Sequence, residues 1–200
     1  MYEAATGLVI IDHDFSIIAA GKRDDGGVDG VNRRLNVARQ LADVDRDPNG
    51  EIMYRFVGLF DNDGAGRRAL KAACDFDRRL IKYKDLFLLN PVMPTCFPHD
   101  ATVLAGMTET ANRPFRTLDW EVEDLISDAV LQNFERTYPQ AVKSKRSDGG
   151  RTHRELERLA KPELKRFVLQ HAQMHDLKEI VLLIKALRSY FDLPFQHISA

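Results

Sequence analysis

The fold is decided by residues 56–70, which read Phe56-Val57-Gly58-Leu59-Phe60-Asp61-Asn62-Asp63-Gly64-Ala65-Gly66-Arg67-Arg68-Ala69-Leu70. An apolar run that ends at a turn is typical of a buried strand in a parallel sheet. Alternation along that strand places Asp61 and Asp63 on one side at its carboxyl end, where open α/β sheets bind their ligands. Gly64 and Gly66 permit a tight turn into a good helix sequence. Because two carboxylates this close repel each other, the pattern predicts a site for Mg²⁺ or Mn²⁺.

The flanking sequence alternates predicted strands and helices. We expect strands over residues 15–20 and 86–89, and a surface turn over residues 43–50. Between the first of these strands and the turn lies an amphipathic helix whose apolar face is Val31, Leu35, Ala38, Leu41 and Ala42. Strands separated by helices favour right-handed βαβ units, so the fold class is α/β with a mainly parallel sheet flanked by helices.

The second half of the chain has a mostly helical pattern. A helix is predicted over residues 119–134, with an apolar stripe of Val122, Leu125, Ile126, Ala129, Val130 and Phe134. Polar residues 143–151 predict an exposed linker or mobile loop, and two more helices are expected over residues 162–173 and 176–191. The expected division is therefore an α/β domain over residues 1–115 and a helical region over residues 116–200, packed on that domain or extending it.

A second group of acids lies at the start of the helix expected over residues 119–134. Projection at about 100° per residue places Glu123 inside the apolar stripe and Glu121 at its edge, while Asp124 and Asp128 point outward. A carboxylate inside an apolar stripe needs a partner. The alternative is that these acids only stabilise the first turn of the helix through its dipole.

The motif at Asp61-Asn62-Asp63-Gly64-Ala65-Gly66-Arg67-Arg68-Ala69 resembles the aspartate motif of TOPRIM domains. These Mg²⁺-binding domains occur in bacterial primases, topoisomerases and OLD-type nucleases. The similarity spans about residues 15–130 and is specific only over about residues 55–75. It implies a TOPRIM-like fold in which Asp61 and Asp63 hold Mg²⁺ or Mn²⁺. A late glutamate completes the metal shell in OLD-type nucleases, and by position Glu121 and Glu123 are the candidates.

The resemblance also implies a reaction, which is divalent-metal-dependent phosphodiester hydrolysis by a DNA nuclease. The implied catalytic residues are Asp61, Asp63, Glu123 and Lys161, with the lysine stabilising charge at the scissile phosphate. Phosphate-binding candidates at the same sheet edge are Lys22, Gly64, Gly66 and Arg67. Such proteins often act beside an ATPase partner in antiviral defence against phage. The glutamate that ends the first strand of the family, followed by glycine, is missing here, so slow or absent hydrolysis is expected.

Two other classes of function remain open from the sequence. Phe60-Asp61-Asn62-Asp63-Gly64 is also similar to the nucleophile motif of haloacid-dehalogenase phosphatases, although Ala65 stands where that family has threonine. No late paired-acid motif with an intervening lysine is evident. The third class is a non-catalytic TOPRIM interaction module, which the missing first-strand glutamate favours.

Composition limits these alternatives. A chain of 200 residues with 44% hydrophobic residues can bury a substantial core. The net charge of −1 means that any DNA-binding surface must be a local patch. Cys74 and Cys96 have no paired spacing and predict reduced thiols in a cytoplasmic protein, and a homo-oligomer remains open. No signal peptide is evident and no apolar run reaches the roughly 18 residues that span a bilayer, so no membrane partner is expected.

Overall fold

The computed structural model describes Glu3 and residues 14–18, 27–98 and 100–194, in which helices and short strands are mixed. The helices are α1 (Gly27–Val44), α2 (Gly64–Phe76), α3 (Ala101–Asn112), α4 (Asp128–Thr137), α5 (Ala160–His171) and α6 (Lys178–Tyr190). The strands are β1 (Gly58–Phe60), β2 (Leu86–Leu88), β3 (Val142–Asp148) and β4 (Arg151–Leu156). Short 3₁₀ turns occupy Arg113–Phe115, Val122–Leu125, Pro139–Ala141 and Met174–Leu177. The predicted strand at residues 86–89 and the last two predicted helices are confirmed to within a few residues.

The motif strand and the next strand form a parallel pair joined through α2, which is the predicted βαβ unit. Gly58 lies opposite Leu86, and Phe60 lies opposite Leu88. Helix α1 packs closely on this pair, since a Cβ at Gly58 would lie 2.8 Å from Leu86 Cδ2 and 3.2 Å from Leu35 Cδ2. The parallel sheet has two strands within the described residues. The strand predicted over residues 15–20 is wrong for residues 15–18, which have no regular structure, and residues 19–20 lie outside the described residues.

The amphipathic helix after Gly27 is present as α1, but its buried face is narrower than predicted. Leu35 and Ala42 are buried, each 5% exposed, whereas Leu41 is 64% exposed. The expected packing of Leu41 is therefore wrong. The predicted surface turn is confirmed at Pro48–Asn49, where Gly50 has a positive φ of 84°.

The helix predicted over residues 119–134 is wrong, because the chain breaks between two shorter elements. The 3₁₀ turn Val122–Leu125 ends at Ile126, which is extended, and Ser127 then caps α4 by accepting a hydrogen bond from Val130 N. The break rotates the faces, so Val122 and Ala129 are exposed while Leu125, Ile126, Val130 and Phe134 are buried. A serine that offers its hydroxyl to a free N–H favours a helix start at this point.

The linker or mobile loop predicted over residues 143–151 is also wrong. These residues form most of an antiparallel hairpin in which Asp148 pairs with Arg151 and Lys145 pairs with Arg154. The two-residue turn is Gly149–Gly150, with positive φ angles of 56° and 80°. Positive φ at both central residues matches the right-handed twist of the flanking strands.

The largest group of buried apolar side chains is formed mainly by the second half of the chain. Its fully buried members include Trp120, Phe134, Leu164 and Val168, and it takes in Phe15 and Leu89 from the first half. A smaller group, which includes Leu35, Phe60, Leu70 and Leu86, lies around the parallel pair. The division predicted at residue 115 stays a prediction. Within the described residues, no helix combines the length and apolar character needed to cross a membrane.

Candidate functional site

A backbone bridge brings the two predicted acid groups together. Asn62, directly after Asp61, donates from its N–H to Trp120 O at 2.8 Å, and Trp120 N donates back to Asn62 O at 3.2 Å. The residues after Trp120 therefore lie beside the end of β1. Val122 N donates to Asp61 Oδ1 at 3.2 Å, which fixes the first acid of the motif against the 3₁₀ turn.

Lys161, in the first turn of α5, forms ion pairs with Glu121 and Glu123 at the start of the 3₁₀ turn Val122–Leu125. Its Nζ lies 2.7 Å from Glu121 Oε2 and 3.1 Å from Glu123 Oε1. Both glutamate side chains are only 16% exposed, and that of Lys161 is 37% exposed. The second oxygen of Glu123, Oε2, is buried and has no hydrogen-bond partner among the described residues. As predicted, Glu123 faces the protein and Asp128 is exposed.

The site carries more negative charge than Lys161 offsets. Burial, followed by the charges of Glu123 and Glu121, raises the pKa of Asp61 to about 6, although Lys161 opposes the shift. Burial also raises the pKa of Glu121 against the opposing effect of Lys161. Burial alone would lower the pKa of Lys161, but Glu123 and Glu121 raise it overall. Either a proton on Asp61 or a bound cation relieves this repulsion.

Asp63 caps the helix that follows the motif. Its Oδ1 accepts a hydrogen bond of 2.6 Å from Gly66 N, which uses that N–H within the protein. Glycine is required at position 66 because a Cβ there would lie 1.9 Å from the carbonyl oxygen of Asp61. The second aspartate of the motif therefore shapes the turn in which Asp61 lies.

The predicted phosphate-binding residues are only partly brought together. Gly64, Gly66 and Arg67 all lie in the first turn of α2. Arg67, however, donates to Asn62 O at 2.8 Å and to Asp119 Oδ1 at 2.8 Å, so its guanidinium ties the end of β1 to the chain before Trp120. Lys22 lies outside the described residues.

Sequence reasoning missed a buried Asp–His pair behind the glutamates. Asp124 is buried, which corrects the outward orientation expected from helical projection. Its Oδ2 accepts a 2.8 Å hydrogen bond from Glu121 N and lies 2.7 Å from His153 Nδ1. Burial lowers the pKa of His153, but Asp124 raises it overall. The only sequence signal was the acid spacing of a capping box, Glu121-x-x-Asp124.

The carboxylates of the site suit a hard cation by their chemistry. The ammonium of Lys161, however, already lies between Glu121 and Glu123, where such a cation would bind. Carboxylate oxygens are the ligands that Mg²⁺ and Mn²⁺ prefer, and the partnerless Glu123 Oε2 is such an oxygen. In the part of the chain that the structure describes, no three Asp, Glu, His or Cys residues are grouped closely enough to hold a metal ion. The residues therefore fit a cation by type and charge, and an ion would compete with the ammonium for the glutamates.

Comparison with known proteins gives no relative, since no protein-family model, curated protein or solved structure matches this chain.

Proposed function

We propose that the chain is a divalent-metal-dependent phosphodiesterase of TOPRIM type that cleaves DNA. The observation that carries this proposal is the convergence of Asp61, Glu121 and Glu123 with Lys161 at the carboxyl end of β1. Acids at the end of a parallel strand, where ligands of α/β sheets bind, are the arrangement that metal-assisted phosphoryl transfer needs. Perturbed pKa values cluster at functional sites, and Asp61 has one.

The acidic residues of the site would bind a cation, and its lysine would bind a phosphate. Asp61 and Glu123 would be the direct ligands of the cation, while Asp63 and Glu121 lie close enough to contribute charge. Bound Mg²⁺ or Mn²⁺ supplies the acidity of a coordinated water and offsets charge on the phosphate. Within this site, Lys161 is the cation that would pair with a phosphate oxygen once its glutamates are engaged elsewhere. Val122 N keeps Asp61 oriented throughout.

The net charge of the chain favours a role beside a partner. At −1, the chain as a whole has no net electrostatic attraction for DNA, and affinity for nucleic acid comes largely from phosphate contacts. A partner that presents DNA, for example an ATPase as in phage-defence systems of the family that the motif resembles, would supply those contacts. DNA is thus the proposed substrate, and the ATPase is the proposed partner.

The ion pairs of Lys161 favour a second candidate, a non-catalytic interaction module. A lysine that neutralises both glutamates can serve stability alone, in place of a metal. The two candidates differ in whether a divalent cation displaces the ammonium.

The test is cleavage of supercoiled plasmid with Mg²⁺ or Mn²⁺, with and without any partner that co-purifies. We expect Mn²⁺-stimulated nicking that Asp61→Asn and Glu123→Gln abolish. The matched control is Asp75→Asn, since Asp75 is an exposed carboxylate on α2. If supercoiled, linear and single-stranded DNA all stay intact under every condition, the nuclease proposal fails and the interaction module replaces it. Nicking that persists in Asp61→Asn is a contaminant and fails the proposal equally.

A further inference from the structure

A cleft of about 350 Å³ lies outside the group of Asp61, Glu121, Glu123 and Lys161. It is bounded by the start of α4, the hairpin β3–β4 and the start of α6. The lining residues that matter here are Trp120, Asp124, Arg151, Arg154, Asp176 and Lys178. Asp124 lines the cleft and also holds Glu121 N, so the cleft and the candidate site share one buried residue.

Two donors of this cleft are buried without a partner. Trp120 Nε1 and Arg154 Nη1 have no hydrogen-bond partner among the described residues, although the tryptophan and the arginine side chain are each only 2% exposed. The other side-chain nitrogens of Arg154 are used, because Nη2 lies 2.6 Å from Asp128 and Nε lies 3.3 Å from Glu135. Buried donors are normally satisfied, so two unsatisfied ones at the same cleft indicate a missing acceptor.

Each carboxylate that lines the cleft already has a partner within the protein. The four are Asp124, Asp128, Asp176 and Glu179, and each accepts a hydrogen bond or forms an ion pair. Lys178, in contrast, has no ion-pair partner in the described part of the chain and is exposed at the edge of the cleft. The cleft therefore has two buried donors left over while each of its carboxylates already has a partner, and such donors suit a ligand rich in acceptor oxygens.

We propose that this cleft binds a phosphate oxyanion, either a phosphate monoester or the phosphodiester of a nucleic acid. Trp120 Nε1, Arg154 Nη1 and Lys178 Nζ are the donors, and three donors around one group suit its several oxygens. The four carboxylates of the cleft outnumber its three cations, Arg151, Arg154 and Lys178, so directional hydrogen bonds, not a net positive field, hold the anion. Arg151 stands over the Trp120 ring at 5.6 Å and is paired with Glu179, which fixes it beside the cleft.

The chain offers a direct reporter, because Trp120 is its single tryptophan. Titration of the full chain with inorganic phosphate, at ionic strength matched with sodium chloride, should change Trp120 fluorescence to saturation. A thymidine dinucleotide without terminal phosphates forms the second arm. Response to both probes assigns the cleft to phosphodiesters, and response to phosphate alone assigns it to monoesters. A phosphate response identical to that of sodium chloride overturns the proposal and leaves the two donors to water.

Calorimetry on three variants locates the anion. Trp120→Phe keeps an aromatic, though smaller, ring and removes the N–H, so phosphate affinity should fall about tenfold. Lys178→Gln, at an exposed position where folding is safe, should weaken binding several-fold. The matched control Lys165→Gln, an exposed lysine on α5, should bind as the wild type does.

Asp61→Asn separates this cleft from the candidate metal site, because its phosphate binding should be unchanged whether or not the nuclease proposal holds. If Lys178→Gln binds phosphate as tightly as the wild type, or if Asp61→Asn loses it, the anion is bound elsewhere and the proposal is wrong.

Discussion

The negative charge of Asp61 is unfavourable in the folded chain, so the effect of Asp61 on stability depends on pH. Its pKa in the folded chain is about 6, against an ordinary value of 3.8. Between these two values the folded state binds the proton and the unfolded state does not, so the contribution of Asp61 to stability is most favourable at low pH and falls as the pH rises through this window. The two pKa values differ by about 2 units, which corresponds to a loss of at most about 3 kcal/mol above pH 6.

We therefore expect Asp61→Asn to stabilise the metal-free chain at pH 7.5, by about 1–3 kcal/mol. Asparagine keeps an oxygen for Val122 N and carries no charge. Denaturant unfolding at pH 4.5 and pH 7.5 measures the effect, which should be smaller at the lower pH. A variant that is less stable than the wild type at pH 7.5 contradicts the charge repulsion inferred for this site.

The ammonium of Lys161 and a divalent cation compete for the same glutamates. Removing it in Lys161→Gln leaves Glu121 and Glu123 repelling each other, so the metal-free chain should lose about 1–3 kcal/mol. Calorimetric titration should show Mn²⁺ binding more tightly to this variant, by about tenfold, and Mn²⁺ should restore its Tm. Lys165→Gln on the same helix should change neither. Mn²⁺ binding that is weaker in Lys161→Gln than in the wild type would mean that the lysine assists the ion.

Among individual residues, the sequence predicted the placement of Asp61 and Glu123 but missed the buried pair of Asp124 and His153. Asp61 follows from strand alternation, a local rule. Glu123 came out on the protein side by helical projection, although the turn is 3₁₀ and the same projection gave Asp124 the wrong face. The contact between Asp124 and His153 joins residues 29 positions apart. It depends on a hairpin that was predicted as a loop, so no local pattern contained it.

The hairpin β3–β4 was missed because β3 is exposed along most of its length. Residues 143–147 are all exposed, so this strand has no alternating apolar face to signal it. The turn residues Gly149–Gly150 did carry a hairpin signal, since paired glycines suit positive φ at both positions. Composition favoured a loop, whereas pairing with β4, which buries His153 and Leu156, decided the structure.

The turn Gly149–Gly150 should tolerate a side chain poorly. Gly149→Ala should destabilise the chain by about 2 kcal/mol or more, because position 149 has a positive φ and a Cβ there would lie 2.7 Å from Phe115 Cε1. Gly106→Ala is the matched comparison, since no atom lies within 4 Å of the added Cβ in α3. That variant should gain up to about 1 kcal/mol. Thermal unfolding of both variants checks the pair, and equal effects would contradict the tight turn.

In the whole molecule, the candidate site lies where the β1–β2 unit meets the second half of the chain. Asp61 belongs to the first, and Glu121, Glu123 and Lys161 belong to the second. The backbone bridge between Asn62 and Trp120 and the contacts of Arg67 join the two parts at this point. The βαβ unit was predictable because its pattern is local. The long-range join was not, because it depends on pairs of residues about 50–60 positions apart with no shared pattern.

The net charge of the whole molecule limits the affinity of the chain for DNA. Most basic side chains of the hairpin are paired with acids, as Lys143 is with Glu155 and Glu157, and Lys145 with Glu135. With a net charge of −1 and few unpaired cations there, the isolated chain should bind duplex DNA more weakly than about 10 µM at physiological salt. Fluorescence anisotropy of a labelled duplex, titrated at several salt concentrations, measures this affinity. Addition of a co-purifying partner should tighten binding and speed any cleavage, because the partner brings the phosphate contacts that this chain lacks. Submicromolar binding by the chain alone would mean that its own surface holds DNA and that no partner is needed for that step.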